Sequence, residues 1–269
     1  MAAAFRVDIA PQAAHEVSRA HQSSGPRSGG ADAGAFAPPY FAPQQSADRW
    51  SLDAFAFYRA GSDSTSISQG RVPVYGASQM AVNLQYRAAP NSAHDPRAYL
   101  RAYRAFVPDG ENEVAAGLSA RPLGAVPVRL GAELRVTDNV FGTEVRPAAY
   151  AATELPAVGL PFDLRAEAYG GAGYVGGRAD TAYADGQIAV TREVVRFGGA
   201  DKRSLRLSVG GGGWGGAQRD ASRLDVGPTM RIDMTIADVP ARLAVDWRER
   251  VAGDAAPNSG IAATLSTRF

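Results

Sequence analysis

From Trp50 onward, apolar and polar residues alternate at period two, in runs of roughly ten separated by short stretches rich in Gly, Pro, Asp and Asn. Successive side chains of a β-strand point to opposite sides, so this pattern marks strands with one apolar and one polar face. Over 79–87, Met80, Val82, Leu84 and Tyr86 oppose Gln79, Ala81, Asn83, Gln85 and Arg87. Over 127–136, Val128, Leu130, Ala132, Leu134 and Val136 oppose Arg129, Gly131, Glu133 and Arg135. Over 161–169, Phe162, Leu164, Ala166 and Ala168 oppose Asp163, Arg165, Glu167 and Tyr169. Over 223–235, Leu224, Val226, Met230, Ile232 and Met234 oppose Arg223, Asp225, Thr229, Arg231 and Asp233.

Twelve such runs begin near Trp50, Ser78, Pro96, Asn112, Ala125, Glu144, Pro161, Ala179, Lys202, Ser222, Ala241 and Ser259. Their spacing of about 18 residues per strand and connection suits the ~10-residue segments of a membrane barrel. In 96–107 neither face stands out as apolar. No segment carries a helical stripe, and no apolar run approaches the ~18 residues of a spanning helix. The expected fold is all-β: an antiparallel up-and-down transmembrane β-barrel of about 12 strands.

Residues 1–48 are dominated by Ala, Pro, Gly, Ser and Gln and cannot bury enough apolar surface to order themselves. They are expected to be a disordered low-complexity linker or tail, with the barrel over 49–269. The first ten residues carry Arg6 and Asp8 where an export signal needs an apolar core. Taken alone, that start argues for a cytoplasmic chain, against the direction of everything downstream.

Composition removes several function classes. Twenty-eight basic residues against 27 acidic ones leave a net charge of +1, without the basic face that nucleic-acid binding needs. There are no cysteines, so disulfides, thiolate metal sites and cysteine nucleophiles are excluded. The three histidines (His15, His21 and His94) do not cluster. Gly171, Gly173 and Gly176 have dinucleotide-fingerprint spacing, but no helix pattern follows them, and a flexible loop is the plainer reading. The run 210–216 (GGGGWGG) lacks the Lys-Ser/Thr of a phosphate loop, so its glycines are read as bends in a barrel wall. His94 beside Asp95 lacks a nucleophile elbow and reads as a turn histidine. The carboxylates of the polar face each have an arginine close by, which favours structural ion pairs over a glycosidase pair. No catalytic, metal or cofactor site is expected.

A soluble β-sandwich alternates too, and three features favour a barrel over it. The apolar face is rich in Ala, Leu and Val, as suits lipid contact. Trp50, Tyr58, Tyr86, Trp247 and Phe269 lie near run ends, where interfacial girdles sit. The last run ends in Ile261, Ala263, Leu265, Thr267 and Phe269, which resembles the C-terminal signal read by the bacterial barrel assembly machinery. With both termini on one side, outer loops are expected at 61–76, 108–112, 137–143, 170–178, 215–221 and 251–258. Inner turns are expected at 121–124, 156–159, 197–201 and 237–240. The lumen lining is then Arg87, Arg129, Glu133, Arg135, Asp163, Arg165, Glu167, Arg206, Asp225, Arg231, Arg242 and Asp246. Pro147 and Pro228 fall inside runs and call for a bulge or a displaced boundary, since proline donates no ladder hydrogen bond.

The strings 74–79 (VYGASQ), 214–218 (WGGAQ), 222–228 (SRLDVGP) and 246–253 (DWRERVAG) resemble the C-terminal domain of the phage adsorption protein A (NfrA-like) family. The resemblance spans about 50–269, and the family's signal and periplasmic helical repeats are not visible in this chain. It implies a porin-like protein of the Gram-negative outer membrane, tied to exopolysaccharide export or serving as a phage receptor. Its partners would be membrane lipid and a polysaccharide or phage. An autotransporter-type translocator barrel is the alternative. Prolines 38, 39 and 43 make a poor helix before the first strand, which that class normally has. A soluble sandwich binding module is third.

Overall fold

The structure, a computed structural model, describes residues 48–62, 76–107, 110–139, 142–178, 180–198, 204–219, 221–236 and 239–269. The expectation for 1–48 falls, apart from Asp48, outside the described residues.

The described chain forms thirteen strands: β1 (Trp50–Arg59), β2 (Gln79–Arg87), β3 (Arg97–Ala105), β4 (Asn112–Ala120), β5 (Val128–Asn139), β6 (Gly142–Thr153), β7 (Val158–Leu160), β8 (Leu164–Val175), β9 (Thr181–Phe197), β10 (Leu205–Gln218), β11 (Ala221–Ile236), β12 (Val239–Gly253) and β13 (Gly260–Arg268). Strands pair antiparallel with their sequence neighbours, except that β8 pairs with β6 across the small β7. β1 pairs with β13 from Asp53↔Arg268 to Arg59↔Ala262, and this closes the sheet. The result is a closed ring of twelve strands, with β7 a three-residue flap on the edge of β8. Twelve strands ~4.8 Å apart and tilted ~40° make a ring about 24 Å across.

The faces are inverted relative to a water-soluble protein. Leu100, Leu118, Leu130, Leu134, Val145, Ile188, Val209, Leu265 and their neighbours point outward and are exposed. The opposite faces of the same strands are buried, and they carry arginines, carboxylates, Thr and Ser. Aromatics fringe the outward band at both ends. Trp50, Phe162, Phe197 and Phe269 lie at one end; Tyr58, Phe106 and Tyr174 lie at the other, all exposed. We call the first the turn end and the second the loop end.

Several expectations need adjusting. The loop expected at 170–178 is shorter, because β8 continues to Val175, and Gly171 and Gly173 are strand residues. Likewise β10 runs to Gln218 and β12 begins at Val239, inside the segments expected as connections. The inner turn expected at 156–159 contains β7 instead. Pro147 needs no bulge: β8 pairs with β6 only over Ala148–Ala152, so the proline sits where that ladder ends. Pro228 lies where the β11–β12 pairing lapses between Val226↔Glu249 and Thr229↔Asp246. There a Cβ on Gly227 would come 1.9 Å from the Trp247 carbonyl oxygen, so only glycine fits.

Candidate functional site: the charged lumen

The inward rows of the strands bring charges together in tiers. At the turn end, Asp95 sits in the β2–β3 connection with a positive φ of 39°. Its Oδ1 accepts from Arg87 Nε at 2.8 Å, and its Oδ2 from Arg129 Nη2 at 2.7 Å and from Arg97. Arg129 Nε donates on to Glu154 Oε1 at 2.8 Å, and Arg121 Nε reaches Glu154 Oε2 at 2.6 Å. Burial pushes both carboxyls up, but the hydrogen bonds and nearby guanidiniums outweigh it and hold Asp95 and Glu154 below their ordinary values. His94 is an exposed turn histidine whose Nδ1 lies 2.8 Å from the Arg121 carbonyl oxygen.

Midway along β3–β5, Glu133 accepts from Tyr99 OH (2.8 Å), Arg101 Nη2 (2.8 Å) and Arg135 Nε (2.6 Å). Arg101 also donates to Glu113 at 2.7 Å. Across the lumen, Glu167 on β8 accepts from Arg231 on β11 at 2.5 Å and Arg242 on β12 at 2.7 Å. That second contact spans four strand steps of the ring, so it braces the bore rather than decorating one wall. Arg242 also holds Asp233 at 2.5 Å.

At the loop end, Asp225 accepts from Arg223 Nε at 2.7 Å and Arg59 Nη1 at 3.1 Å. Arg223 donates as well to the carbonyls of Ala255 (2.8 Å) and Pro257, which ties down the β12–β13 connection. The Arg248 guanidinium lies between the rings of Trp214 (4.5 Å) and Phe57 (4.8 Å) and bonds Asp246 at 3.0 Å.

Of the lumen set expected from sequence, Arg87, Arg129, Glu133, Arg135, Glu167, Asp225, Arg231, Arg242 and Asp246 face inward in these tiers. Asp163 does not join them: it lies in the turn before β8 with a positive φ of 57°, 86% exposed, paired to exposed Arg192. Arg165 and Arg206 sit at the turn-end mouth, half in water, against Glu167 and Glu193. Ile261, Leu265 and Phe269 are exposed on the outward face of β13, with Ala263 and Thr267 between them in the same row.

The lumen set expected from sequence left out Asp53, Arg59, Asp95, Arg101, Glu113 and Arg248, which the structure places inward. Asp53 and Arg59 share the inward row of β1 with Phe55 and Phe57, which form an apolar cluster inside the lumen with Tyr103. The alternation there reads as apolar on both faces. β3 mixes its faces in the same way, with Tyr99, Arg101 and Tyr103 inward and Leu100 and Arg104 outward. Among the described residues, no group of three or more potential ligands stands together to hold a metal ion.

No family model matches this chain. No curated protein matches it either. Solved structures of similar shape include the beta domain of the Bordetella autotransporter BrkA, 14% identical over 82% of this chain and 99% of that one, with a TM-score of 0.46. The NanC porin is 10% identical, covering 81% and 98%, at 0.35. A bacterial polysaccharide outer membrane secretin is 8% identical, covering 82% and 97%, at 0.38. None is near enough for its activity to be carried over.

Proposed function

We propose that this chain is a Gram-negative outer-membrane β-barrel with a narrow, ion-paired lumen that serves neutral, hydroxyl-rich glycans, in exopolysaccharide export or as a surface receptor. The observation that carries the membrane reading is the inverted burial. Exposed Leu, Val and Ile form a band fringed by aromatics, while arginines and carboxylates are sealed inside. Such an outer face is unfavourable in water and favourable against acyl chains. The sheet closes on itself through β1–β13 and, over Ala148–Ala152, through β6–β8, so its edges meet each other rather than the hydrocarbon along those ladders.

The glycan reading follows from the tiers. Arginines that already hold carboxylates present little net field to a passing ion, yet offer many hydrogen-bonding edges. The resemblance of 50–269 to the NfrA-like domain points the same way. The test combines two measurements. The purified chain should need detergent and run with heat-modifiable mobility on gels. In planar bilayers it should conduct ions weakly or not at all. A monodisperse detergent-free monomer would overturn the membrane reading, and a large, strongly ion-selective conductance would overturn the ion-paired lumen.

A further inference from the structure

One lumen carboxylate departs from the pattern of its neighbours. Asp53, Asp95, Glu113, Glu133, Glu154, Glu167, Asp225, Asp233 and Asp246 all accept from an arginine. Asp185, inward on β9, does not. Its Oδ1 is sealed from solvent, and no donor among the described residues reaches it. The cause lies in the sheet register. Asp185 stands between Gly171 on β8 and Gly216 on β10, so neither cross-strand neighbour has a side chain to offer. A buried, unsatisfied polar atom at such a position calls for an explanation, because leaving it unpaired is costly.

The same place is a pocket. Tyr169, Asp185, Gln187, Trp214, Arg223, Asp225 and Arg248 line a recess in the loop-end half of the lumen that opens to the bore. Its walls combine two aromatic rings, an amide and two carboxyl groups, Asp185 and the arginine-held Asp225. Its two arginines are spoken for: Arg223 by Asp225, and Arg248 by Asp246 and the rings of Phe57 and Trp214. A cation drawn to Asp185 would meet two guanidiniums. An anion would meet the carboxyl oxygens of Asp185 and Asp225. A neutral ligand that donates hydrogen bonds and carries an apolar ring face meets neither obstacle.

We propose that this pocket is a binding subsite for one neutral sugar residue of a glycan in the lumen, with Asp185 accepting from adjacent ring hydroxyls. Gln187 can both donate to and accept from the same residue, and Tyr169 and Trp214 wall its apolar face. The assignment rests on the glycan reading above and adds a ligand class and a place to it.

The test uses the full chain folded in detergent, with Trp50 and Trp247 changed to Phe so that emission reports Trp214, the third of three tryptophans. It is titrated with neutral gluco-, galacto- and manno-configured tetrasaccharides, and with spermidine and trigalacturonate as charged comparisons. The expected result is a saturable change with at least one neutral tetrasaccharide, weakened tenfold or more by Asp185→Asn. This variant keeps the side chain's size and exchanges one acceptor oxygen for an amide donor, in a group that no described residue bonds, so the fold is retained and heat-modifiable mobility checks it. Gly171→Ala is the second variant: its Cβ would sit 2.4 Å from the Tyr169 hydroxyl oxygen, driving that ring from its place, and binding should fall likewise. Equal binding by wild type and Asp185→Asn would overturn the subsite. So would tighter binding of spermidine or trigalacturonate, or no response to any tetrasaccharide in a chain that runs as a folded barrel. A chain that needs no detergent and shows no heat-modifiable form would instead overturn the membrane reading.

Discussion

Glu167→Gln is the sharpest test of whether the lumen is held shut by its ion pairs. Glu167 takes Arg231 at 2.5 Å and Arg242 at 2.7 Å on one oxygen, and Arg165 lies 3.3 Å from the other. Its side chain is 10% exposed, and those of Arg231 and Arg242 are 12% and 10%. Glutamine keeps the volume and one acceptor but removes the charge. Arg242 still has Asp233; Arg231 has no second carboxylate in ion-pair range among the described residues. Removing one partner of a buried pair costs about 3–5 kcal/mol, because the remaining charge stays out of water. The assay is reversible urea unfolding of the barrel in lipid vesicles, followed by tryptophan emission. Asp163→Asn is the internal comparison, because the Asp163–Arg192 pair is 86% and 57% exposed and should be worth less than about 1 kcal/mol. In bilayers, the unbraced arginines of Glu167→Gln should give a larger conductance that favours anions. Were Glu167→Gln to cost no more than Asp163→Asn, the lumen would be wide and wet, and its pairs would brace nothing.

Leu134→Arg, in the middle of the outward face of β5 and at a site 60% exposed, should cost about 2–4 kcal/mol in vesicles. A neutral result, normal for an exposed site in water, would mean that this face does not meet lipid. The turn-end cluster should fail in acid. Because Asp95 and Glu154 titrate below their ordinary values when folded, the stability they supply is complete above the unfolded values of about 3.9 and 4.3. It is lost as pH falls below that range. The melting temperature in detergent should therefore be nearly flat from neutral pH to about pH 5 and drop below pH 4, with part of the drop absent in Asp95→Asn. An unchanged acid limb in that variant would place the sensitivity elsewhere.

How legible all this was in the sequence depended on which residues filled the inward rows. On β5 and β11 the rows are clean, with Arg129, Glu133 and Arg135 against Leu130, Leu134 and Val136, and strand, face and pairing type could all be read off. On β1 the inward Phe55 and Phe57 hide the same alternation, so Asp53 and Arg59 went unread although they anchor contacts to Arg268 and Asp225. Asp163 shows the opposite error. It has the parity of Arg165 and Glu167, but the strand begins one residue after it, and parity means nothing in a turn. Partners across the bore could not be read at all. Glu167 and Arg242 are 75 residues apart, and only the closure of β8 onto β6 brings their walls face to face.

The glycines were the feature read least well. Thirty of them suggested loops and bends, yet several sit mid-strand on the inward rows beneath an aromatic ring. A Cβ on Gly131 would lie 2.3 Å from Tyr150 Cζ; on Gly173, 2.6 Å from Tyr183 Cζ; on Gly212, 2.6 Å from Trp214 Cζ2. A ring laid over a neighbouring glycine occupies wall instead of bore, so large side chains fit inside a twelve-stranded ring already crowded with arginines. Gly131→Ala tests this. In an ordinary strand the change should stabilise by roughly 0.5–1 kcal/mol, since glycine has more backbone freedom to lose. Here the new methyl would drive the Tyr150 ring off the wall toward Tyr99, 6.4 Å away between ring centroids, whose hydroxyl bonds Glu133. The expected outcome is a lower unfolding free energy, and in bilayers a conductance no larger than that of wild type. A stabilised variant would mean that the ring moves aside freely and that the glycine is there for some other reason.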